Sequence, residues 1–313
     1  MPLKKNFSSF FLVIKEVSRE FSADNILKYS ASLAYYTVFS IAPMLVVLTT
    51  LFGFLFGQEA LQGKVYQQLN SFVGSNAALE IQDIIKNIHL SKNNFLATVL
   101  SVIILLIGAT SIFGEIQDSI NKIWGLKIKK HKVWWKLLVT RLLSFSLIIS
   151  MGLIMMVSVL LNALVAAFGK LIGKIIAGYS LYFIQASEAA LSFLVITVLF
   201  ALIFKILPDA HIRWKDVFVG GFITAIFFTL GKLGINFYIQ KSNITSLYGA
   251  AGSIIILMVW VYYSSIILYL GAEFTKVFTK LYGKRISPNE YADWIKIEKK
   301  TVSSPELKNK DLS

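Results

Sequence analysis

The sequence predicts an all-α polytopic membrane protein with six transmembrane helices and interfacial amphipathic helices. Three observations lead there. Six long apolar segments fall at about residues 31–57, 95–113, 137–168, 183–206, 214–239 and 249–278. Each is near or above the roughly 20 residues a helix needs to cross a bilayer. The segments are apolar nearly all round, whereas a helix on a soluble core carries one apolar stripe. Composition agrees: 56% of residues are hydrophobic, 15% are charged and mean hydropathy is +0.68, beyond an ordinary soluble domain.

The net charge of +14 sorts by loop. Basic residues crowd the N-terminal arm (Lys4, Lys5, Lys15, Arg19, Lys28), the loop after the second span (Lys122, Lys127, Lys129, Lys130, Lys132, Lys136), the loop after the fourth (Lys205, Arg213, Lys215) and the exit from the sixth (Lys276, Lys280, Lys284, Arg285). The alternate loops hold few: Lys64, Lys86 and Lys92, then Lys170 and Lys174, then Lys241. This alternation places both termini in the cytoplasm. It implies anionic inner-leaflet lipids as partners and leaves no call for nucleic acid. Trp134 and Trp135 between Lys132 and Lys136 read as an interfacial aromatic belt.

Three regions follow: a cytoplasmic amphipathic arm over residues 1–28, a membrane domain over 29–285, and a polar cytoplasmic tail over 286–313, expected to be disordered beyond Trp294. No cleavable signal peptide is visible in the arm. Phe7, Phe10, Phe11, Ile14, Val17 and Phe21 share a helical face there, which suits a helix on the inner leaflet or one packed on cytoplasmic loops. In the first span, Ser32, Tyr36 and Ser40 recur at four-residue steps before Pro43, where a proline kinks the helix. The outer loop 58–94 has room for two short amphipathic helices broken at Gly74-Ser75-Asn76. The third loop, Gly169 to Tyr182, is glycine-rich and apolar. Glycines recur in the fifth span (Gly220, Gly221, Gly231, Gly234) and open the sixth (Gly249, Gly252), either for close helix contact or to line a cavity with Tyr248.

Two sets of charged residues stand out. Glu188 in the fourth span and Lys232 with Asn236 in the fifth lie at matching depth near the outer side. A charge near mid-bilayer costs about 2.5–3.5 kcal/mol and needs a partner or water. The pair reads as a binding site, an ion-coupled switch or a structural ion pair, with Lys232 snorkelling as a further option. At the inner face, Glu115 and Asp118 follow the second span, Arg141 opens the third and Glu273 closes the sixth. One arginine among three acids suits a packed polar knot or a gate.

Several residue strings carry a family likeness. They are Ser32-Leu33-Ala34-Tyr35-Tyr36-Thr37 with Pro43, Gly114-Glu115-Ile116-Gln117-Asp118 with Asn121-Lys122-Ile123-Trp124-Gly125, Leu207-Pro208 with Trp214-Lys215-Asp216 and Gly220, Ser246 to Gly252, Trp260-Val261-Tyr262-Tyr263-Ser264, and Leu270-Gly271-Ala272-Glu273. In order and spacing these resemble the YihY/BrkB family of bacterial inner-membrane proteins, over nearly the whole chain to about residue 280. The resemblance implies a six-helix inner-membrane protein. Members have been named after a serum-resistance factor and after a tRNA-processing ribonuclease, and export or lipid handling has been suggested for some.

Catalytic chemistry finds little support in the residues. Cysteine is absent, which removes thiolate ligands and nucleophiles. His89, His131 and His211 are far apart in sequence, and no clustered carboxylates suit metal-dependent hydrolysis. No phosphate-binding glycine loop or nucleophile elbow is present. The expectation is a non-enzymatic protein without cofactor or metal that moves or handles a lipid or amphipathic substrate. A membrane scaffold is the alternative, and a ribonuclease is disfavoured. No convincing inverted repeat relates the two halves.

Overall fold

A computed structural model describes residues 3–40, 79, 103, 111–129, 142, 146, 150, 153–154, 157–158, 161, 180–242, 252–283 and 286–295. The described elements are α1 (Leu3–Ala23), α2 (26–40), α3 (111–123), β1 (Leu126–Ile128), α4 (Ser180–Ile206), β2 (Ala210–His211), α5 (Trp214–Lys241), α6 (Gly252–Tyr282), β3 (Ser287–Pro288) and β4 (Ala292–Trp294). Among them, three helices are long and apolar enough to cross a membrane: Ile184–Ile206, Trp214–Lys241 and Ile254–Tyr282. They coincide with the fourth, fifth and sixth expected spans. The first span is represented by α2 up to Ser40, the second by residue 103 and the start of α3, and the third by separate helical positions from 142 to 161. The outer loop 58–94 lies outside the described residues apart from position 79.

The spans pack closely where glycine removes a side chain. Gly221 of α5 sits against Thr197 and Ala201 of α4. On the other side of α5 the contact is reciprocal: Thr275 of α6 covers Gly220, and Thr224 of α5 covers Gly271. Each threonine hydroxyl donates to the carbonyl four residues back in its own helix, Thr224 to Gly220 and Thr275 to Gly271, both at 2.7 Å. The methyl and hydroxyl of each therefore lie in a fixed rotamer over a bare patch of the neighbouring backbone. Further along, Tyr263 reaches across Gly231 and donates to the Phe227 carbonyl at 3.3 Å. A Cβ added at Gly234 would meet nothing within 4 Å, so of the four glycines in the fifth span three serve close contact. The outer faces of α4 and α5 leave Leu194, Phe222, Leu230, Leu233 and Phe237 exposed, as helices in lipid require.

The main core lies at one end of this bundle, where α4 finishes, α5 begins and α6 ends. It joins Ile26 and Leu33 of α2, Ile120 and Trp124 from α3 and its turn, Phe204 and Leu207 at the end of α4, Val217 of α5, and Tyr269 and Ala272 of α6. Two turns direct chain into it. Asn25, at φ 54°, breaks α1 from α2, and Gly125, at φ 71°, ends the turn after α3. A left-handed residue stops a helix at small cost when it is glycine or asparagine.

Two features not read from the sequence meet at the same end of this all-α fold. Short ladders accompany the helices: β1 pairs antiparallel with β4 and β2 with β3. These ladders are two or three residues long, too short for alternation to show in sequence. Their second members come from residues 287–294, the stretch of the tail up to Trp294, which is folded. Backbone pairing explains it: Ile295 donates to Gly125 at 2.7 Å, Lys129 to Tyr291 at 3.0 Å and Asn289 to Asp209 at 3.0 Å.

The arm, α1, packs along the last turns of α6, burying Val13 and Val17 against Phe274 and Val277. Leu12 and Ile14 remain exposed. Contacts run in reverse order along the two helices, Glu16 to Lys280 and then Glu20 and Asp24 to Lys276, so the helices are antiparallel. The described inward stripe is Val13, Val17, Glu20 and Asp24, with Phe21 partly buried against the main core; Val17 and Phe21 belong to the expected apolar face, while the side chains of Phe7, Phe10 and Phe11 lie outside the described residues.

Candidate functional site

Two polar clusters occupy this end of the bundle. The first centres on Asp209, in the short connection between α4 and α5 and almost wholly buried. Pro208 stops α4 just before it. Gln117 and Asn121 stand one turn apart on α3, on the same face. Gln117 donates to Asp209 Oδ1 at 2.8 Å and Asn121 to Oδ2 at 2.6 Å. The Asp209 amide returns a bond to Asn121 Oδ1 at 2.9 Å. From the folded start of the tail, Tyr291 donates to Asp209 Oδ1 at 3.3 Å, and Asn289 donates to the Tyr291 hydroxyl at 3.0 Å. Burial first, then the Asp209 charge, pushes the Tyr291 phenol up from its ordinary value. One buried carboxylate thus ties together α3, the α4–α5 connection and the tail through hydrogen-bond donors from each.

The second cluster joins α1 to α6. Lys276 is in contact with Glu20, Glu273 at 2.9 Å and Asp24 at 3.3 Å. Lys280 adds longer contacts, 3.9 Å to Glu16 and 4.0 Å to Glu20. The Glu273 side chain has no exposed surface, while Lys276 keeps 20%. Burial pushes Glu20 up, but hydrogen bonds with Glu273 and Lys276 and the charges of Lys276 and Lys280 outweigh it and hold Glu20 below the ordinary carboxylate value. The carboxylates of Glu20, Asp24 and Glu273 lie close enough to share a cation, and the Lys276 ammonium is the cation they hold.

Aromatic groups bridge the clusters. Trp124 donates its indole N–H to the Ala272 carbonyl at 3.0 Å, and Tyr29 meets Tyr269 edge to face at 6.4 Å. Lys122 lies 5.2 Å over the Tyr29 ring. Burial, then the charges of Asp24 and Glu115, pushes the Tyr29 phenol up.

Of the residues singled out from sequence, Glu273 is at the heart of the second cluster. Its partners are Lys276, Glu20 and Asp24. Glu115 is half-buried on α3, Asp118 is exposed, and Arg141 lies outside the described residues. Gly221 over Thr197 and Ala201 sets an antiparallel register that brings Glu188 and Lys232 to one level. Glu188 is nevertheless exposed on α4, and no ion pair joins it to Lys232 among the described contacts. Lys232 and Asn236 are half-buried one turn apart on α5. On α2, Tyr36 is exposed and Ser40 is buried, its hydroxyl donating to the Tyr36 carbonyl at 3.0 Å. Pro43, Tyr248 and Gly249 lie outside the described residues.

Gln117, Asn121, Asp209, Tyr291, Glu20, Asp24 and Lys276 were not legible as partners. A signal existed for the second cluster: acids at 16, 20 and 24 and bases at 276 and 280 recur on four-residue steps, as two facing helices require.

The family model for virulence factor BrkB matches residues 17–293. The chain belongs to this family. The match takes in both clusters and reaches past Tyr291, beyond the likeness read from sequence strings. Among curated relatives, the UPF0761 membrane protein of Tolumonas auensis is 26% identical over 87% of this chain and 84% of its own length. That of Psychromonas ingrahamii is 29% identical, over 83% of this chain and 85% of its own. A relative from Alcanivorax borkumensis, 26% identical over 88% of this chain, is longer, and the match spans 62% of it. No solved structure matches. With its apolar helices and these relatives, this BrkB-family chain is a membrane protein.

Proposed function

We propose that the chain is a six-span protein of the bacterial inner membrane, with both termini cytoplasmic, that moves or handles a lipid or another amphipathic substrate. The observation that carries this reading is the placement of Lys232 and Asn236 one turn apart and half-buried within an apolar span. Such groups are costly in lipid, so they mark a polar site inside the bundle, shared among protein partners, water or a polar ligand. Ser40 and Tyr36 on α2 would add polar lining. The alternation of basic loops supports the orientation. No hydrolytic role is proposed: among the described residues the clustered acids already hold Lys276, and His211 stands exposed on β2.

A second reading, a membrane scaffold without transport, draws support from the interlocked Gly–Thr contact of α5 and α6. Cysteine accessibility separates the two, since the chain has no cysteine of its own. Under transport, Tyr36→Cys, Ser40→Cys and Asn236→Cys react in native membranes with a small water-soluble thiol reagent, while Leu105→Cys does not. Silence at every position in folded protein moves the assignment to the scaffold. Reporter fusions after Gly57 and Tyr179 should read outside, and those after Lys130 and Ser313 inside.

A further inference from the structure

The charge balance between α1 and α6 goes beyond the transport reading and concerns the arm whatever the bundle carries. Carboxylate oxygens of Glu20, Asp24 and Glu273 all lie within 4.8 Å of one another. Among the described residues, the cations facing them are Lys276, in contact with all three, and the more exposed Lys280, 4.0 Å from Glu20. The other titratable groups nearby are Glu16 with its partner Arg19 on α1, Tyr29 of α2, Glu115 of α3 and Tyr269 of α6. Three negative charges around the half-buried Lys276 ammonium and the more exposed Lys280 leave an excess of one, which a poorly hydrated contact holds only at high energy. A proton removes the excess. The Glu20 and Glu273 carboxyls lie within this group, and each has a buried Oε2 with no hydrogen-bond partner among the described residues; of two facing carboxyls one can donate to the other only if it is protonated.

We propose that the Glu20–Glu273 pair holds a single proton that keeps α1 docked on α6, and that loss of this proton to solvent releases the arm. With the proton bound, Glu273 is the neutral donor, Glu20 the ionised acceptor, and Lys276 and Lys280 balance the charges that remain on Glu20 and Asp24. Without it, two carboxylates face each other with no donor between them, and their repulsion opposes the ion pairs of Lys276 and the Val13 and Val17 contact. The device is closed at lower pH and opens as pH rises.

Accessibility of Val17 tests this. Val17 is buried against α6, whereas Ser18 beside it is exposed. The labelling rate of full-length Val17→Cys, divided by that of Ser18→Cys at each pH, cancels the chemistry of the thiol itself. If one proton controls docking, the ratio climbs with pH, by up to about tenfold per unit above the transition. In a Glu273→Gln background, where the donor cannot ionise, the ratio stays flat, and it does so again with Glu20→Gln, which serves if the first variant folds poorly. A flat ratio in the otherwise native chain overturns the proposal, as does an equal climb in a folded Glu273→Gln or Glu20→Gln background.

Discussion

The contact between α5 and α6 makes a quantitative claim about glycine. A Cβ at Gly220 would lie 2.0 Å from Thr275 Oγ1, 3.0 Å from its Cβ and 3.1 Å from its Cγ2. Thr275 has little freedom to retreat, since its hydroxyl is bound to the Gly271 carbonyl. Overpacking of this kind costs about 1–3 kcal/mol. A mid-helix alanine in place of glycine gains about 1 kcal/mol of helix propensity, which partly hides the clash. Gly234 supplies the correction: it is in the same helix, and a Cβ there meets nothing within 4 Å. Gly234→Ala should therefore be neutral or stabilising, and the difference between the two variants isolates the steric cost at about 1–3 kcal/mol. The assay is thermal unfolding of purified protein in detergent, where each kcal/mol moves Tm by about 2–4 °C. Thr275→Ala should rescue Gly220→Ala, because it removes both the hydroxyl and the methyl. Equal effects at Gly220 and Gly234, or strictly additive losses in the double variant, would refute the close contact.

The polar end offers three more tests. Asp209→Ala strands the amides of Gln117 and Asn121 and should lower stability by about 3 kcal/mol or more, with faster amide hydrogen exchange over residues 286–295. Lys276→Met leaves Glu20 and Asp24 of α1 without the cation that ties them to α6 and should cost about 2–4 kcal/mol after allowing for partial exposure, measured as Tm; Lys280→Met, at a longer and more exposed pair, should change little. Glu20 is held below its ordinary value of 4.5. Its stabilising contribution is therefore complete above that value and lost as pH falls through the lower folded value, so Glu20→Gln should flatten the acid side of the stability profile.

The last three spans were readable because twenty or more apolar residues leave a helix no other explanation. Their partners were not. Gly220 and Gly271 look alike in sequence to Gly234, and only the register of facing helices distinguishes a contact from open space. The arm was read by its apolar face, and its partners were not visible, because they lie on a helix some 250 residues later, as in the Lys276–Asp24 pair. Asp209 stood one residue past a string already noted for its family likeness. Nothing local marks a carboxylate whose donors come from residues 88 and 92 positions earlier and 82 later. Glu273 stood out because an acid within an apolar run is costly, and that cost is visible in any single sequence.

The pairing of β1 with β4 has a consequence for biogenesis. Residues 126–128 emerge from the ribosome and enter their place beside the membrane well before residues 292–294 exist. Until then Gly125, Gln117 and Asn121 lack the strand and the tyrosine that complete their surroundings. The spans can insert one after another, yet this end of the bundle closes only when residues 286–295 arrive. Shortening the chain before Tyr291 would thus leave every span in place and still yield an open, protease-sensitive product.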